Sequence, residues 1–272
     1  MNKVIIILWT SLIMSQDENI ENTIKTKIST GSVGTVTLNE DVYNHFSLYP
    51  EISIGKVNIG LDLYLYFNND GIYTKNWDFS DANSSYKSII DKIYFLEWGK
   101  NSDNFYFRVG SLPSITLGEG ILLQNYSNIM QYPQIRKTGL NLKAKISDIY
   151  IEFIHSNLKV LEPSIIGLRV SYLLYPKLNM GFTYVTDMDQ NMGLTQINNT
   201  ITTSVVDPIS GIALDFVYTI SEKVVFYSQF SKLIGEISNE ELGSGFVPFG
   251  MKSKWDFLDL FVEYRISSKR FI

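Results

Sequence analysis

Residues 57–67, VNIGLDLYLYF, alternate between apolar positions and positions that are polar, small or amphipathic. Every odd position from Val57 to Phe67 is apolar, whereas the even positions include Asn58 and Asp62. Because successive side chains of a strand point to opposite faces, this period of two predicts a β-strand with one apolar face. At roughly 3.3 Å per residue the strand is about 36 Å long, and a tilt of about 40° gives a rise of about 27 Å. That rise is close to the height of the apolar band of an outer-membrane β-barrel.

Similar alternation recurs along most of the chain. After an uncertain first strand at 28–38, it predicts strands at 46–54, 57–67, 91–99, 105–111, 138–146, 149–155, 165–174, 178–186, 209–220, 224–233, 246–255 and 257–266. Two of these, 91–99 and 224–233, carry apolar residues on both faces, so their orientation stays open.

Short and long connections between the predicted strands alternate in order. The short ones are 55–56, 101–104, 147–148, 175–177, 221–223 and the corner at Asp256, and the long ones are 68–90, 112–137, 156–164, 187–208 and 234–245. This asymmetry is typical of outer-membrane barrels, which have short periplasmic turns and long outer loops. We therefore expect an all-β protein, an antiparallel transmembrane β-barrel of about 13 to 14 strands. Since no linker divides the strands, we expect residues 29–272 to form one domain.

The beginning of the chain has the pattern of an export signal. Lys3 precedes an uncharged run from Val4 to Ile13, and the small residue Ser15 precedes a polar stretch. The run is too short to cross a bilayer as a helix, and no later stretch is long enough. We interpret residues 1–15 as a signal peptide and 16–28 as an N-terminal periplasmic segment; a buried N-terminal segment is the alternative.

Composition excludes several kinds of site. The chain has no cysteine, so it holds neither a disulfide nor a thiolate zinc site. Its net charge of −5 offers no basic stripe for phosphate groups, which argues against a nucleic-acid partner. Charged residues make up only 19% of the chain and aromatic residues 14%, a balance that suits a strand-rich protein.

The side of the strands opposite the apolar positions carries charges of both signs. A charged side chain costs about 2 to 4 kcal/mol at the middle of a bilayer, so these residues must face water or one another. They form either a salt-bridged lining that stiffens a barrel or the surface that sets the charge preference of a pore. The candidates are Asp62, Arg108, Asn141, Lys143, Lys145, Glu152, Arg169, Asp215, Lys252, Lys254, Asp259, Glu263 and Arg265.

Residues 110–128, GSLPSITLGEGILLQNYSN, are the part of the chain least like a barrel wall. Pro113 cannot donate a ladder hydrogen bond, and Gly118 and Gly120 relax the backbone on either side of Glu119. The segment either folds into the lumen as a constriction formed by these four residues or extends as a strand or hairpin above the membrane.

Signals for catalysis or metal binding are weak. The only histidines, His45 and His155, are far apart in sequence, and a neighbouring hydroxyl such as that of Ser156 does not by itself make a catalytic triad. Asp187, Asp189 and Asn191 alternate like calcium ligands, but the glycine and glutamate of a calcium loop are missing. We expect no enzymatic activity, no cofactor and no metal.

Two motifs carry a resemblance to a known family. The segments YPEISIGKVNIGLDLYLYF and RVGSLPSITLGEGILLQNYSN resemble porin-like outer-membrane β-barrel proteins of Gram-negative bacteria, a poorly characterised group, over residues 29–266. The resemblance implies an outer-membrane location and passive passage of small polar solutes or ions. Its implied partners are outer-membrane lipid, the barrel-assembly machinery during biogenesis and those solutes. It assigns no catalytic residue and leaves the oligomeric state open.

The count of predicted strands is odd, whereas a finished bacterial barrel has an even number. The chain also ends in Arg270, Phe271 and Ile272 rather than in an aromatic residue on an alternating strand. We therefore expect a chain truncated at its C-terminus by at least one strand. Three other functions stay open: a structural or surface-interaction barrel, an outer-membrane hydrolase, and a secreted soluble β-sandwich.

Overall fold

The computed structural model describes residues 25–38, 41–130, 132, 136–159, 164–189, 208–237 and 240–271. The predicted signal peptide, most of the segment 16–28 and Asn191 lie outside these ranges. Strands dominate the described residues, and the pairs reported below are antiparallel, which confirms the predicted all-β class. The chain divides into two compact units, 1–99 and 100–272, where the sequence predicted one domain.

The first unit is organised around its second strand. β2 pairs with β1 along one edge and with β3 and then β4 along the other, while β3 also pairs with β6 and β4 with β5. Strand β1 begins at Lys25, earlier than the predicted start at residue 28. The strands are β1 (Lys25–Leu38), β2 (Asp41–Ile54), β3 (Val57–Leu61), β4 (Leu63–Asn68), β5 (Gly71–Ile72) and β6 (Ile93–Trp98).

The predicted strand 57–67 is divided at Asp62, which separates β3 from β4. The pairing with β2 runs from Ile54 to Glu51, stops, and resumes at Leu48. Pro50 lies in this gap and has no N–H to donate to a ladder, which explains the interruption. The backbone N–H of Asp62 instead donates to the carbonyl oxygen of Lys92 at 2.8 Å.

The long connection after β4, predicted as loop, contains helical structure. A 3₁₀ helix spans Thr74–Trp77, and helix α1 spans Ala82–Asp91. Asp81 caps α1, because its Oδ1 accepts the backbone N–H of Ser84 at 3.0 Å. Within the described part of the chain, neither helix has the length and apolar character needed to cross a membrane.

The second unit is a meander of antiparallel strands. Nine of them pair in the order β17-β16-β13-β12-β11-β10-β9-β8-β7, and β14 and β15 form a separate hairpin. The bounds of those nine strands lie within about two residues of the predicted strands, whereas β14 and β15 lie in the predicted long connection 234–245. The strands are β7 (Phe105–Gly110), β8 (Gly139–Ile146), β9 (Ile149–His155), β10 (Ile165–Tyr175), β11 (Leu178–Asp187), β12 (Ile209–Ser221), β13 (Val224–Ile234), β14 (Glu236–Ile237), β15 (Glu240–Glu241), β16 (Ser244–Trp255) and β17 (Leu258–Ser267).

The two faces of the sheet in the second unit differ in chemistry as the alternation predicts. In β10, Leu168, Val170 and Tyr172 are 40 to 46% exposed, whereas Arg169 and Ser171 between them are each 4% exposed. The same inversion holds in β12, where Asp215 is buried between exposed apolar neighbours. We call the two surfaces the apolar face and the polar face. A water-soluble sheet exposes its polar side instead, so this sheet has the arrangement expected in lipid.

The structure resolves the two strands whose faces were ambiguous. In β6, a bulge opposite Gly60 and Leu61 lets both Ile93 and Leu96 lie on the exposed side while Phe95 is buried against Gly60. A strict period of two fails in β6 because the bulge adds one residue. In β13 the period of two holds, since Tyr227 and Gln229 are buried on the polar face and Phe230 is exposed. The register shift after Tyr227 adds its extra residue to the partner strand β16.

We expect Gly60→Ala to destabilise the first unit by about 1 to 3 kcal/mol. A Cβ at Gly60 would lie 2.2 Å from Cε1 of Phe95, a ring held in place by the bulge. Gly34→Ala is the matched control, because a Cβ there meets no atom within 4 Å. Urea unfolding in lipid vesicles measures both; equal midpoints would contradict the close packing of Phe95.

Candidate functional site

A row of charged side chains crosses the polar face of the second unit, one strand after another. Arg169 of β10 donates to both carboxylate oxygens of Asp215 of β12, with Nη2 2.9 Å from Oδ1. Its Nε lies 3.5 Å from Glu152 of β9, whose other oxygen is 3.3 Å from Nζ of Lys143 of β8. Thr183 of β11 accepts a further bond from Arg169 at 3.2 Å. We call this set the charge row.

The strand register explains why the charge row forms. Lys143 pairs with Glu152, Glu152 pairs with Arg169, and Arg169 pairs with Thr183, so neighbouring side chains meet on one face. The space for the guanidinium comes from Gly181, where a Cβ would lie 2.3 Å from Nη2 of Arg169. Sequence analysis did not single out Thr183 or Gly181. Both nevertheless lie on the polar face, because they are two residues apart and alternate with the apolar positions of β11.

Residues 111–130, which we call the cover segment, lie against the same polar face. The segment doubles back on itself, with Ile115 bridged to Tyr126 and the N–H of Leu117 bonded to the carbonyl of Leu123 at 3.1 Å. Asn128 fixes its base, accepting the N–H of Leu112 at 2.7 Å and donating to the carbonyl of Ser156 at 3.1 Å. The structure therefore places the segment on the polar face rather than as an extended strand.

Apolar contacts hold the cover segment to the sheet. Leu112, Ile115, Leu117 and Leu123 form one cluster with Ile154 of β9 and Val185 of β11. Ile121 joins a second cluster with Ala213, Tyr227 and Val247, which belong to strands β12, β13 and β16. Burial raises the pKa of the Tyr126 hydroxyl, so this group stays neutral.

The tip of the cover segment meets the charge row and the strands beyond it. Gly118 has a φ of +59°, and a Cβ there would lie 2.6 Å from Nη1 of Arg169. Glu119 Oε2 lies 2.6 Å from Nζ of Lys252 in β16, and the N–H of Ile121 donates to Oε1 of Gln229 in β13 at 3.3 Å. Gly120 also has a positive φ, +93°. The four candidate constriction residues, Pro113, Gly118, Glu119 and Gly120, thus lie in a segment that reaches across the sheet.

The other predicted polar residues of this unit lie outside the charge row. Arg108 donates to the carbonyl of Ser111 at 2.7 Å, and the Nζ of Lys145 lies 4.9 Å above the ring of Tyr150. Glu263 accepts the Tyr227 hydroxyl at 2.9 Å and pairs with Arg265 at 2.7 Å. The remaining three are Asn141, which is buried, and Lys254 and Asp259, which are exposed partners across β16 and β17.

Asp62 is the one candidate polar residue in the first unit. The same unit contains a cluster around Lys92 that sequence analysis missed. Lys92, 5% exposed, bonds Asp91 at 2.9 Å and lies 4.1 Å from the ring centroid of Tyr64 and 4.7 Å from that of Trp77. Cation–π contacts of this kind favour a buried ammonium group. Lys92 follows directly on α1, so the missed helix concealed its position.

The two histidines lie in different units of the chain. His45 bonds the hydroxyl of Ser47 at 2.6 Å in the first unit. In the second unit the Ser156 hydroxyl accepts the N–H of Ile165 at 2.9 Å and lies 3.4 Å from that of Ser164. Within the described residues, no group of three or more acidic, histidine or cysteine side chains is placed to hold a metal ion.

No protein-family model matches the chain, and no curated protein sequence matches it significantly. Solved structures do show similarity. OmpF of Salmonella typhi in complex with daunomycin matches 95% of this chain and 86% of its own, at 11% identity and a TM-score of 0.38. A loop-deletion mutant of OmpT, an outer-membrane protein of Vibrio cholerae, matches 91% and 94%, at 11% identity and a TM-score of 0.36.

A mutant of the porin of Rhodopseudomonas blastica matches 91% of this chain and 82% of its own, at 10% identity and a TM-score of 0.37. At such identities and scores the similarities concern the fold alone.

Proposed function

We propose that the protein is an integral outer-membrane β-barrel that lets small polar solutes or ions pass along the polar face of its strands. One observation carries this proposal: the sheet of the second unit exposes large apolar side chains on one face and buries Arg169 and Asp215 on the other. Lipid is the solvent that favours such an exposed surface, and trapped water or paired charges suit the opposite face. The proposal includes no chemical step, since passive passage of solutes requires only a continuous, water-filled path.

The charge row supports weak ion selectivity. Lys143 and Arg169 are balanced by Glu152 and Asp215, so neither sign dominates this part of the face. Lys252 is likewise paired with Glu119 of the cover segment. A path beside such pairs presents alternating charges and favours neither cations nor anions strongly.

A non-conducting barrel is the second candidate, and the cover segment favours it. Its apolar side chains are packed into two clusters on the polar face, and its tip is bonded to strands on the far side of Arg169. A segment packed in this way closes part of the surface that solutes would follow. Such a protein would act through its outer loops, binding a partner at the cell surface.

Removing the cover segment tests the two candidates. Ile115 and Tyr126 are bridged, so residues 116–125 can be replaced by two glycines without stretching the base of the segment. We expect the shortened protein to show at least about a twofold higher single-channel conductance than the intact protein in planar bilayers, because the polar face is widened.

Gly118→Ala gives a finer version of the same measurement. It pushes the tip away from Arg169 and forces a non-glycine residue to a φ of +59°, so we expect altered conductance without removal of the segment. Gly71→Ala, at a φ of +124° in open space, is the control for the backbone effect. A protein that carries no current in any of these forms would contradict passage and support the structural role.

A further inference from the structure

An apolar cavity of about 480 Å³ lies at one end of the polar face in the second unit. Its chemistry differs from that of the charge row on the same face, which consists of charged and hydroxyl side chains. Four adjacent strands each turn an apolar residue toward it here: Ile165 of β10, Val185 of β11, Ile209 of β12 and Leu233 of β13. Its volume falls within the range of pockets that bind compact organic molecules, about 300 to 1,000 Å³.

The cover segment completes the cavity. Leu122 and Leu123 form its side toward the middle of the sheet, and Leu242 lines it from the connection after β15. Gly211 keeps the two parts close, because a Cβ there would lie 2.8 Å from Cδ2 of Leu122. Strands β10 to β13, the cover segment and the connection after β15 therefore all contribute to the walls of the cavity.

Two charged residues line the cavity, and their surroundings differ. Arg270 is in an ion pair with Glu240, so its charge is compensated. Asp187 pairs in the sheet with Ile165 on one side and with Ile209 on the other, which puts its carboxylate between two apolar side chains. It accepts the N–H of Asp189 at 3.3 Å. Among the residues that the structure describes, no cation lies within 4 Å of it, and Lys137 acts on it electrostatically from farther away.

A half-buried carboxylate in apolar surroundings is stabilised by a cationic group that is attached to an apolar skeleton. We propose that this cavity binds small molecules that combine a compact apolar skeleton with a protonated amine, the skeleton lying among the leucine and isoleucine side chains and the ammonium group pairing with Asp187. The site is separate from the charge row, so the proposal does not depend on passage of ions.

Calorimetric titration of the detergent-solubilised, refolded full chain with 1-adamantylamine and, separately, 1-adamantanol tests this site. The two probes share one skeleton and differ in charge. We expect the amine to bind at least about tenfold more tightly than the alcohol, because only the amine forms the charge-assisted bond. In Asp187→Asn the preference should disappear while the alcohol still binds, which also shows that the variant is folded.

Two further variants make the result specific. Asp148→Asn removes an exposed carboxylate in the turn between β8 and β9 and should keep the preference for the amine. Ile209→Phe fills part of the cavity and should weaken binding of both probes. The proposal is overturned if neither probe binds the unaltered protein, if both bind equally, or if Asp187→Asn retains the preference.

Discussion

Arg169→Met is expected to lower the free energy of unfolding by about 3 to 5 kcal/mol, because it leaves a buried carboxylate without its partner. Asp215 is 2% exposed and receives both of its close charged contacts from the one guanidinium. Glu152 loses the same neighbour but keeps Lys143 at 3.3 Å. Urea titration of protein folded into lipid vesicles, followed by tryptophan fluorescence, measures the loss.

The double variant Arg169→Met with Asp215→Leu separates the cost of an unpaired charge from the value of the pair. Replacing both members of a buried ion pair with apolar residues is often neutral or stabilising, so the double variant should recover most of the loss. Arg265→Met is the control, since Arg265 is exposed and its partner Glu263 also accepts the Tyr227 hydroxyl. A loss below about 1 kcal/mol in Arg169→Met would mean that water reaches Asp215 and screens its charge.

Alternation predicted the two faces well because it depends only on the period of side chains along a strand. Arg169 and Asp215 were both assigned to the polar side from parity, and the structure places both there. Their contact could not be predicted, because it depends on which residues of β10, β11 and β12 pair across the sheet. A change of register by one residue reverses the faces, and a change by two preserves the faces but separates the partners.

Bulges and interruptions escaped prediction for a related reason. The bulge at Gly60 and the gap opposite Pro50 are properties of a strand pair, and one strand read alone does not reveal its partner. Pro50 was a usable signal, because a proline within a strand marks a missing ladder bond. The cap at Asp81 was another, since an acidic residue directly before a helical stretch is a typical N-terminal signal.

The position of the cover segment was left between two alternatives because its sequence supports both. Pro113, Gly118 and Gly120 show only that the segment leaves the wall. Its leucine and isoleucine side chains bind the polar face because that face is itself apolar near Ile154 and Val185. These two residues interrupt a polar set in β9 and β11, and such an interruption on an otherwise polar face is the signal that could have favoured docking.

The claim that the exposed apolar face lies in lipid leads to the second large effect. We expect Val170→Lys to lower the free energy of unfolding in lipid vesicles by about 2 to 4 kcal/mol. Val170 is in the middle of β10, is 40% exposed and neighbours Ile151 and Phe182 across the strand pairs. An ammonium group there would be placed in hydrocarbon, where hydration is lost. In water the same exposed position would tolerate lysine, with a change within about 0.5 kcal/mol.

Tyr175→Lys is the matched variant because it lies on the same strand at its end, beside the turn, and is 69% exposed. The cost of a charge in a bilayer depends on depth, so we expect this substitution to cost about 0 to 1 kcal/mol. The difference between the two variants reports the solvent around the sheet, since exposure alone would make both substitutions harmless. If Val170→Lys and Tyr175→Lys unfold at the same urea concentration as the unaltered protein, the exposed face is wet and the barrel proposal fails.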